Sequence, residues 1–211
     1  MTETKDKKKN KVDQVYNYTA SKIKYLQSIA NTAPGREMLA NLRRGVGKFP
    51  GELPELWGVL FEFMPEELLG KQSASCSEWA IYTALTLYAL HQQGNEKFMH
   101  INKVSLGEAA AQFALQEGTE EHIRKRLHLV ATSRKIKDLA YYLRSVIQLL
   151  SSKSIGLDYA ILAKELYQMM YSMEHMEYEE KLSAITRKWG SDFYKNYRTN
   201  SENSENVKKG E

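Results

Sequence analysis

Residues 77–93, SEWAIYTALTLYALHQQ, decide the fold class of this chain. The segment is apolar on nearly every side of a helix, and a helix of that kind lies buried. Ser75 or Ser77 is a suitable N-terminal cap, and Gly94 follows the last residue of the pattern. The stretch therefore predicts a central helix against which other helices pack.

The sequence on both sides of this helix also has helical spacing. Before it, one apolar stripe runs through 12–31, and Pro34 and Pro54 each begin a further helix. After it, Ser105 and Glu108 form the capping box of an alanine-rich helix. Later helical patterns cover about 119–131, 134–152, 157–173 and 177–198. Because no window alternates with the two-residue period of a strand between hairpin signals, we predict an all-α fold of about nine helices.

The helices are expected to form two small helical-bundle lobes. The irregular stretch 94–104 is the best candidate for a boundary between an N-terminal lobe of about 12–93 and a C-terminal lobe of about 105–198. The basic residues 1–11 and the polar residues 199–211 have too little apolar surface to offset the entropy of ordering. We therefore expect both ends to be flexible tails.

Composition limits the class of protein. With 211 residues, of which 27% are charged, the chain resembles an ordinary globular protein. The lone Cys76 excludes an intrachain disulfide and a zinc site built from cysteines. No segment reaches the roughly 18 consecutive apolar residues of a membrane span, and no apolar run follows the N-terminal lysines. We expect a cytoplasmic protein without a membrane partner.

Positive charge is concentrated between His122 and Arg144, in HIRKRLHLVATSRKIKDLAYYLR. Seven lysines and arginines stand against the single acid Asp138, a net charge of +6, whereas the whole chain carries +4. The rest of the chain is therefore slightly acidic. Such a concentration is typical of a protein that binds a phosphate backbone. The alternative is a solvated helix face whose cations pair with acids elsewhere in the fold.

The spacing within this stretch separates an apolar face from a basic one. One face of the helix expected at 134–150 carries Ile136, Leu139, Ala140, Leu143, Val146, Ile147 and Leu150. A second face carries what we call the basic stripe: Arg134, Lys137, Tyr141, Arg144 and Gln148. The preceding helix should leave Arg124 exposed and Arg126 at its edge. The stripe can follow several phosphates, with Tyr141 available to stack on a base.

A second basic segment, which we call the glycine loop, covers 42–48, LRRGVGK. Arg43 and Arg44 end a helix, where the helix dipole favours cations, and this alone is a sufficient structural reason for them. The two glycines allow the backbone to run close to another group, with Lys48 at the tip. The loop is not a phosphate-binding Walker motif, because Leu42 stands where that motif needs glycine and Phe49 where it needs Ser or Thr.

No motif in the chain indicates catalysis. The five histidines lack a metal-binding spacing, and Cys76 has no histidine adjacent in sequence. His91 and His100 are expected at the surface or at helix ends. We predict neither enzyme activity nor a cofactor.

Four segments, taken in order, resemble one known family. They are LRRGVGKFPGELPELWGVLFEFMP at 42–65, VSLGEAAAQFAL at 104–115, GLDYAILAKELYQMMY at 156–171 and WGSDFY at 189–194. Their order and spacing are similar to those of the CasB family, the small subunit of the type I-E CRISPR surveillance complex Cascade. The resemblance covers roughly 12–198, and the two charged tails depart from the family pattern.

The resemblance implies a non-enzymatic, all-α protein of two helical lobes that acts in antiviral defence. It implies two copies packed together inside a complex with other Cascade subunits and CRISPR guide RNA. It also implies basic surfaces that hold target DNA, chiefly the displaced non-target strand of the R-loop. At the matching positions it assigns DNA contact to Arg43, Arg44, Lys48, Arg124, Arg126, Arg134, Lys137 and Arg144, to which the basic stripe adds Tyr141. Trp57, Trp79 and Trp189 stand among apolar residues and are predicted to be core.

Two other functions remain open at this point. A free-standing helical DNA- or RNA-binding protein would share the basic stripe, but no helix-turn-helix signature with a short glycine turn is present. A nuclease would need clustered carboxylates that bind a metal, and ranks well below the other readings. The leading hypothesis is a non-catalytic subunit that stabilises opened DNA.

Overall fold

The protein is described by a computed structural model that gives the backbone of residues 2–175 and 179–208 and the side chains of 10–175 and 182–199. These residues form nine α-helices and no β-strand, which confirms the predicted all-α class. The helices are α1 (Thr2–Ile29), α2 (Ala33–Arg44), α3 (Trp57–Phe61), α4 (Cys76–Gln92), α5 (Leu106–Glu117), α6 (Glu121–Thr132), α7 (Ile136–Ser152), α8 (Tyr159–Glu174) and α9 (Glu179–Lys208). The start predicted for the last helix, at residue 177, lies outside the described residues.

Helix α4 lies at the centre of the fold, as its composition predicts. Nearly all of its residues are buried, and it packs against α1, α2, α7 and α8. Its cap is Ser75, whose hydroxyl accepts the Glu78 N–H while the Glu78 carboxylate accepts the Ser75 N–H. This reciprocal pair satisfies two of the free donors at the helix start, and it places Ser77 inside the helix.

The core is continuous across the predicted lobe boundary. Helix α8 packs on α1 and α4 as well as on α9, and α5 packs along α9. One hydrophobic cluster runs from Val15 in α1 to Phe193 in α9. Within the predicted boundary, the Ile101 N–H donates to the Leu157 carbonyl at 3.0 Å. The division into two lobes stays a prediction.

Both predicted tails continue neighbouring helices where their backbone is described. Residues 2–11 belong to α1 and 199–208 to α9. Their flexibility stays a prediction, and residues 1 and 209–211 lie outside the described part of the chain.

The helix predicted after Pro54 is shorter than its sequence indicates. A 3₁₀ turn, Pro54–Leu56, leads into α3, which ends at Phe61. Trp57, predicted to be core, is 52% exposed, and its indole N–H donates to the Gly51 carbonyl at 2.8 Å. The prediction is wrong because so short a helix buries only one side. Trp79 and Trp189 are buried, as predicted.

The prediction for the two histidines is correct only in part: His91 lies in the last turn of α4, a helix end as predicted, whereas His100 is neither exposed nor at a helix end. His91 is fully buried beside Tyr159, with Nδ1 2.7 Å from the tyrosine hydroxyl. His100 is largely buried, and its Nδ1 accepts the Tyr159 N–H at 3.1 Å, which requires a neutral ring. Burial lowers the pKa of His91 to about 4 and also lowers that of His100.

These histidines should make the fold sensitive to acid. Unfolded histidines titrate near pH 6.5, so below that pH the unfolded chain binds more protons than the folded one. Their contribution to stability is therefore complete above about pH 6.5 and is lost as the pH falls, for His91 by about 3 kcal/mol near pH 4. In urea unfolding between pH 4 and 7, His91→Leu should flatten the pH dependence. The exposed His128→Gln serves as control, and equal slopes in all three proteins would contradict the assignment.

Candidate nucleic-acid interface

Helix α7 separates its apolar and basic faces as the spacing predicts. Six of the seven predicted core positions are buried, and Ile136 is partly buried. Lys137, Tyr141, Arg144 and Gln148 are exposed, with Tyr141 67% accessible. Because the apolar face is committed to the core, the basic stripe faces solvent. Lys137 and Arg144 form no ion pair with an acid among the described residues.

Arg134 is not on the helix that carries the rest of the basic stripe. Helix α7 begins at Ile136, after Lys135 in an extended conformation, so Arg134 lies in the connection from α6. Its guanidinium donates to the Ser133 carbonyl at 3.1 Å and forms no described ion pair. The helical register predicted for Arg134 is therefore wrong, although the side chain is exposed at the start of the stripe.

On α6, two cations pair with acids of the same region. Arg124 lies 3.5 Å from Glu120, and Lys125 lies 2.6 Å from Glu121. The solvated-face alternative therefore holds for these two. Such exposed pairs are weak because water screens them, so a phosphate can compete for either cation. Arg126, at the edge of the helix as predicted, donates to a backbone carbonyl of its own helix.

The cations of the glycine loop are partly engaged. Arg44 pairs with Glu55 at 3.3 Å and Lys48 with Glu52 at 3.0 Å, while burial lowers the pKa of Arg43. Of the two glycines, Gly45 makes the expected close approach, and makes it to the protein itself, whereas a Cβ on Gly47 would meet nothing within 4 Å. A Cβ on Gly45 would lie 2.6 Å from the Tyr82 hydroxyl, which donates to the Gly45 carbonyl at 2.9 Å. Because residue 45 is glycine, Tyr82 of α4 can approach the glycine loop and hold it by this hydrogen bond.

The tertiary structure brings the glycine loop beside the basic stripe. The Lys137 ammonium lies 4.1 Å from the centroid of the Phe49 ring, which in turn packs edge-on against Trp79. Gly47, Lys48 and Lys137 line one small crevice. This cation–π contact orients the Lys137 side chain. Because the pair is exposed, the ammonium group loses little of its hydration. Nothing in the sequence indicated that Phe49 contacts α7.

Sequence reasoning also missed a groove between α6 and α9. Arg124 and His128 stand at its edge, and Leu127, Phe193 and Tyr194 line it. Trp189 contributes to the wall, but its indole N–H donates to the buried Glu165 carboxylate at 2.7 Å. The role of Trp189 is therefore structural, as predicted for a core tryptophan.

The described residues bear on three other kinds of site: metal centres, a reactive thiol and membrane spans. No group of three or more His, Cys, Asp or Glu side chains among them could hold a metal ion. The Cys76 thiol donates to Glu174 at 3.0 Å, and burial raises its pKa well above the ordinary range, which disfavours the reactive thiolate. None of the helices described combines the length and the apolar character that crossing a bilayer requires.

Residues 38–194 match the family model of the CRISPR-associated protein Cse2. The chain belongs to the Cse2 family. This confirms the CasB resemblance found in the sequence, since solved structures of both names share the fold. No curated protein matches this Cse2-family chain by sequence.

Several solved structures share the fold of this Cse2-family chain. CasB from Thermobifida fusca is 28% identical, with a TM-score of 0.70 over 85% of this chain and 97% of that one. CasB from M. ruber is 20% identical, with a TM-score of 0.63 over 87% and 98%. A chain of a CRISPR RNA-guided surveillance complex is also 20% identical, with a TM-score of 0.65 over 90% and 99%. The last two show a shared fold alone.

Proposed function

We propose that this chain is the non-catalytic small subunit of a type I-E Cascade complex, a guide-RNA effector of antiviral defence. Its partners would be the other Cascade subunits with CRISPR guide RNA, a second copy of itself, and target DNA. Membership of the Cse2 family supports a CRISPR role. The shared fold with a chain of an RNA-guided surveillance complex supports a place in such an assembly.

The proposed DNA contact depends above all on one observation: the cations at α7 are exposed and form no ion pair with an acid among the described residues. Lys137, Arg144 and the adjacent Arg134 form no ion pair in the described part of the chain and are accessible. Cations not neutralised within the fold are available to phosphates. In an R-loop the RNA–DNA duplex is about as stable as the DNA duplex it replaces, so a few backbone contacts to the displaced strand shift the balance.

Tyr141 adds a contact that tolerates any base. It is exposed between Lys137 and Arg144, and its ring lies edge-on to Tyr142 at 5.5 Å, which limits its freedom. A base stacked on such a ring is held through its π face, which every base has. Binding of this kind does not depend on sequence, which a subunit that serves any guide requires.

The complex can be tested by co-expression. The tagged full-length chain, produced with the other Cascade proteins of its own CRISPR locus and a guide RNA, should elute in one large ribonucleoprotein. The untagged chain, expressed alone, gives the reference elution volume. Elution of the co-expressed chain only at monomer or dimer mass would contradict the proposal and favour a free-standing nucleic-acid-binding protein.

A further inference from the structure

Phe63 is held in an unusual position on the N-terminal half of the protein. It has a φ of +59° and is 87% exposed, the most accessible of the large apolar residues described. A positive φ is strained for a bulky side chain, and burial of the ring does not offset that strain here. The ring therefore serves something other than the core of this chain.

Two buried side chains of α1 fasten the turn that displays Phe63. The Tyr18 hydroxyl donates to the carbonyls of Leu60 at 2.8 Å and Glu62 at 3.0 Å. The Lys22 ammonium donates to the same Glu62 carbonyl at 2.7 Å, and burial lowers the pKa of Lys22. Both side chains are more than nine-tenths buried, so their donors are committed to this turn. The fold thus determines which way Phe63 projects.

An open groove lies directly beside the ring. Phe63 borders it together with Tyr25, Met38 and Gly58. A Cβ on Gly58 would meet nothing within 4 Å, so packing within the chain does not require glycine there. Glycine weakens a helix relative to alanine, and its presence at Gly58 keeps the groove wide.

The segment that carries Phe63 has a charge opposite to that of the basic stripe. Residues 49–70 contain five glutamates and neither lysine nor arginine: Glu52, Glu55, Glu62, Glu66 and Glu67. Glu62, Glu66 and Glu67 are exposed and form no ion pair among the described residues. Of the three, Glu62 borders the groove, and Glu66 and Glu67 follow Phe63 within four residues. An acidic segment repels a phosphate backbone and attracts a surface rich in lysine and arginine.

We infer that Phe63, the groove beside it and the nearby glutamates of the same segment, Glu62, Glu66 and Glu67, form a docking surface for a protein. The partner presents an apolar pocket that receives the Phe63 ring and a basic rim that faces the glutamates. An exposed aromatic anchor in a polar rim is the arrangement that contributes most to protein–protein affinity. The inference rests on the proposed function and assigns the surface to another Cascade subunit, and the test below separates this partner from a second copy of the chain.

Phe63→Gly tests the surface, because glycine adopts the same φ without strain. In co-expression with the other Cascade subunits and guide RNA, the variant should be retained at least about 30-fold less tightly, as expected for loss of an aromatic anchor. In urea unfolding it should be at least as stable as the wild type. Phe98→Ala, at a half-exposed phenylalanine beyond the opposite end of α4, should be retained normally.

Each result has a distinct meaning. Retention of Phe63→Gly at the wild-type level would overturn the inference, as would its unfolding, which would make Phe63 a structural residue. Weaker single-stranded DNA binding or a changed monomer–dimer balance in the isolated variant would also overturn it, because the partner would be nucleic acid or a second copy. If wild-type protein itself fails to enter the complex, the proposed function fails instead.

Discussion

Reversal of Arg134, Lys137 and Arg144 to glutamate should weaken retention of target DNA by the assembled complex about 100-fold near 0.1 M salt. Each contact to a single strand contributes about 0.7 to the slope of log affinity against log salt, so three contacts lower the slope by about 2. The difference should therefore shrink as salt approaches 1 M. Filter binding or gel shift of the R-loop over a salt series measures both quantities.

The triple variant should keep its fold. The three side chains are exposed and form no ion pair in the described residues, so the fold loses the contact of Lys137 with Phe49 and the local hydrogen bond from Arg134 to the Ser133 carbonyl. Exposed substitutions of this kind change stability little. The charge-matched control is Lys24, Arg36 and Lys97 to glutamate, on α1, on α2 and after α4, where all three are exposed. If both triple variants bind like wild type, the α7 cations are only a solvated helix face.

Asp158→Ala should lower the free energy of unfolding by about 4 kcal/mol, the largest stability effect we expect from one polar side chain. Asp158 is 1% exposed. One carboxylate oxygen accepts the N–H groups of Ala160 at 2.9 Å and Ile161 at 3.0 Å, and the other accepts the Lys103 N–H at 2.8 Å. Alanine would leave three donors without their acceptor, remove the cap of α8 and release the 94–104 connection.

Urea unfolding at neutral pH measures this loss. Asp158→Asn keeps one oxygen for the cap of α8 and should retain part of the stability. Asp138→Ala, in the first turn of α7 and exposed, is the matched control and should cost well below 1 kcal/mol. A loss below about 1 kcal/mol for Asp158→Ala would show that water or neighbouring groups replace the carboxylate.

The two proposals assign oppositely charged parts of the surface to two different partners. The acidic segment around Phe63 and the basic stripe on α7 would allow one small subunit to bind a protein and a DNA strand at separate places. Opposite charges at the two places also disfavour exchange of the two partners. Variants of Phe63 and of the basic stripe should therefore have separable effects, on assembly and on DNA retention.

The helices and the faces of α7 could be predicted because the physics that forms them is local. A helix that buries one side needs apolar residues every three or four positions, and a capping box needs only Ser105 and Glu108 three residues apart. The fully apolar stretch of α4 has one stable location, the interior. These patterns can be read from the sequence regardless of which elements pack against the helices.

Only the tertiary structure decided where helices stop and which distant residues meet. Helix α3 ends early where Tyr18 and Lys22, some forty positions earlier, donate to the carbonyls of Leu60 at its end and of Glu62 just after it. Lys137 meets Phe49, and His91 meets Tyr159, through packing of helices that are far apart in sequence. Such contacts depend on how whole helices cross, and no spacing along the chain records that. By itself the sequence determined an all-α protein with a basic stripe on one helix, while the fold placed the glycine loop beside that stripe and turned Phe63 outward.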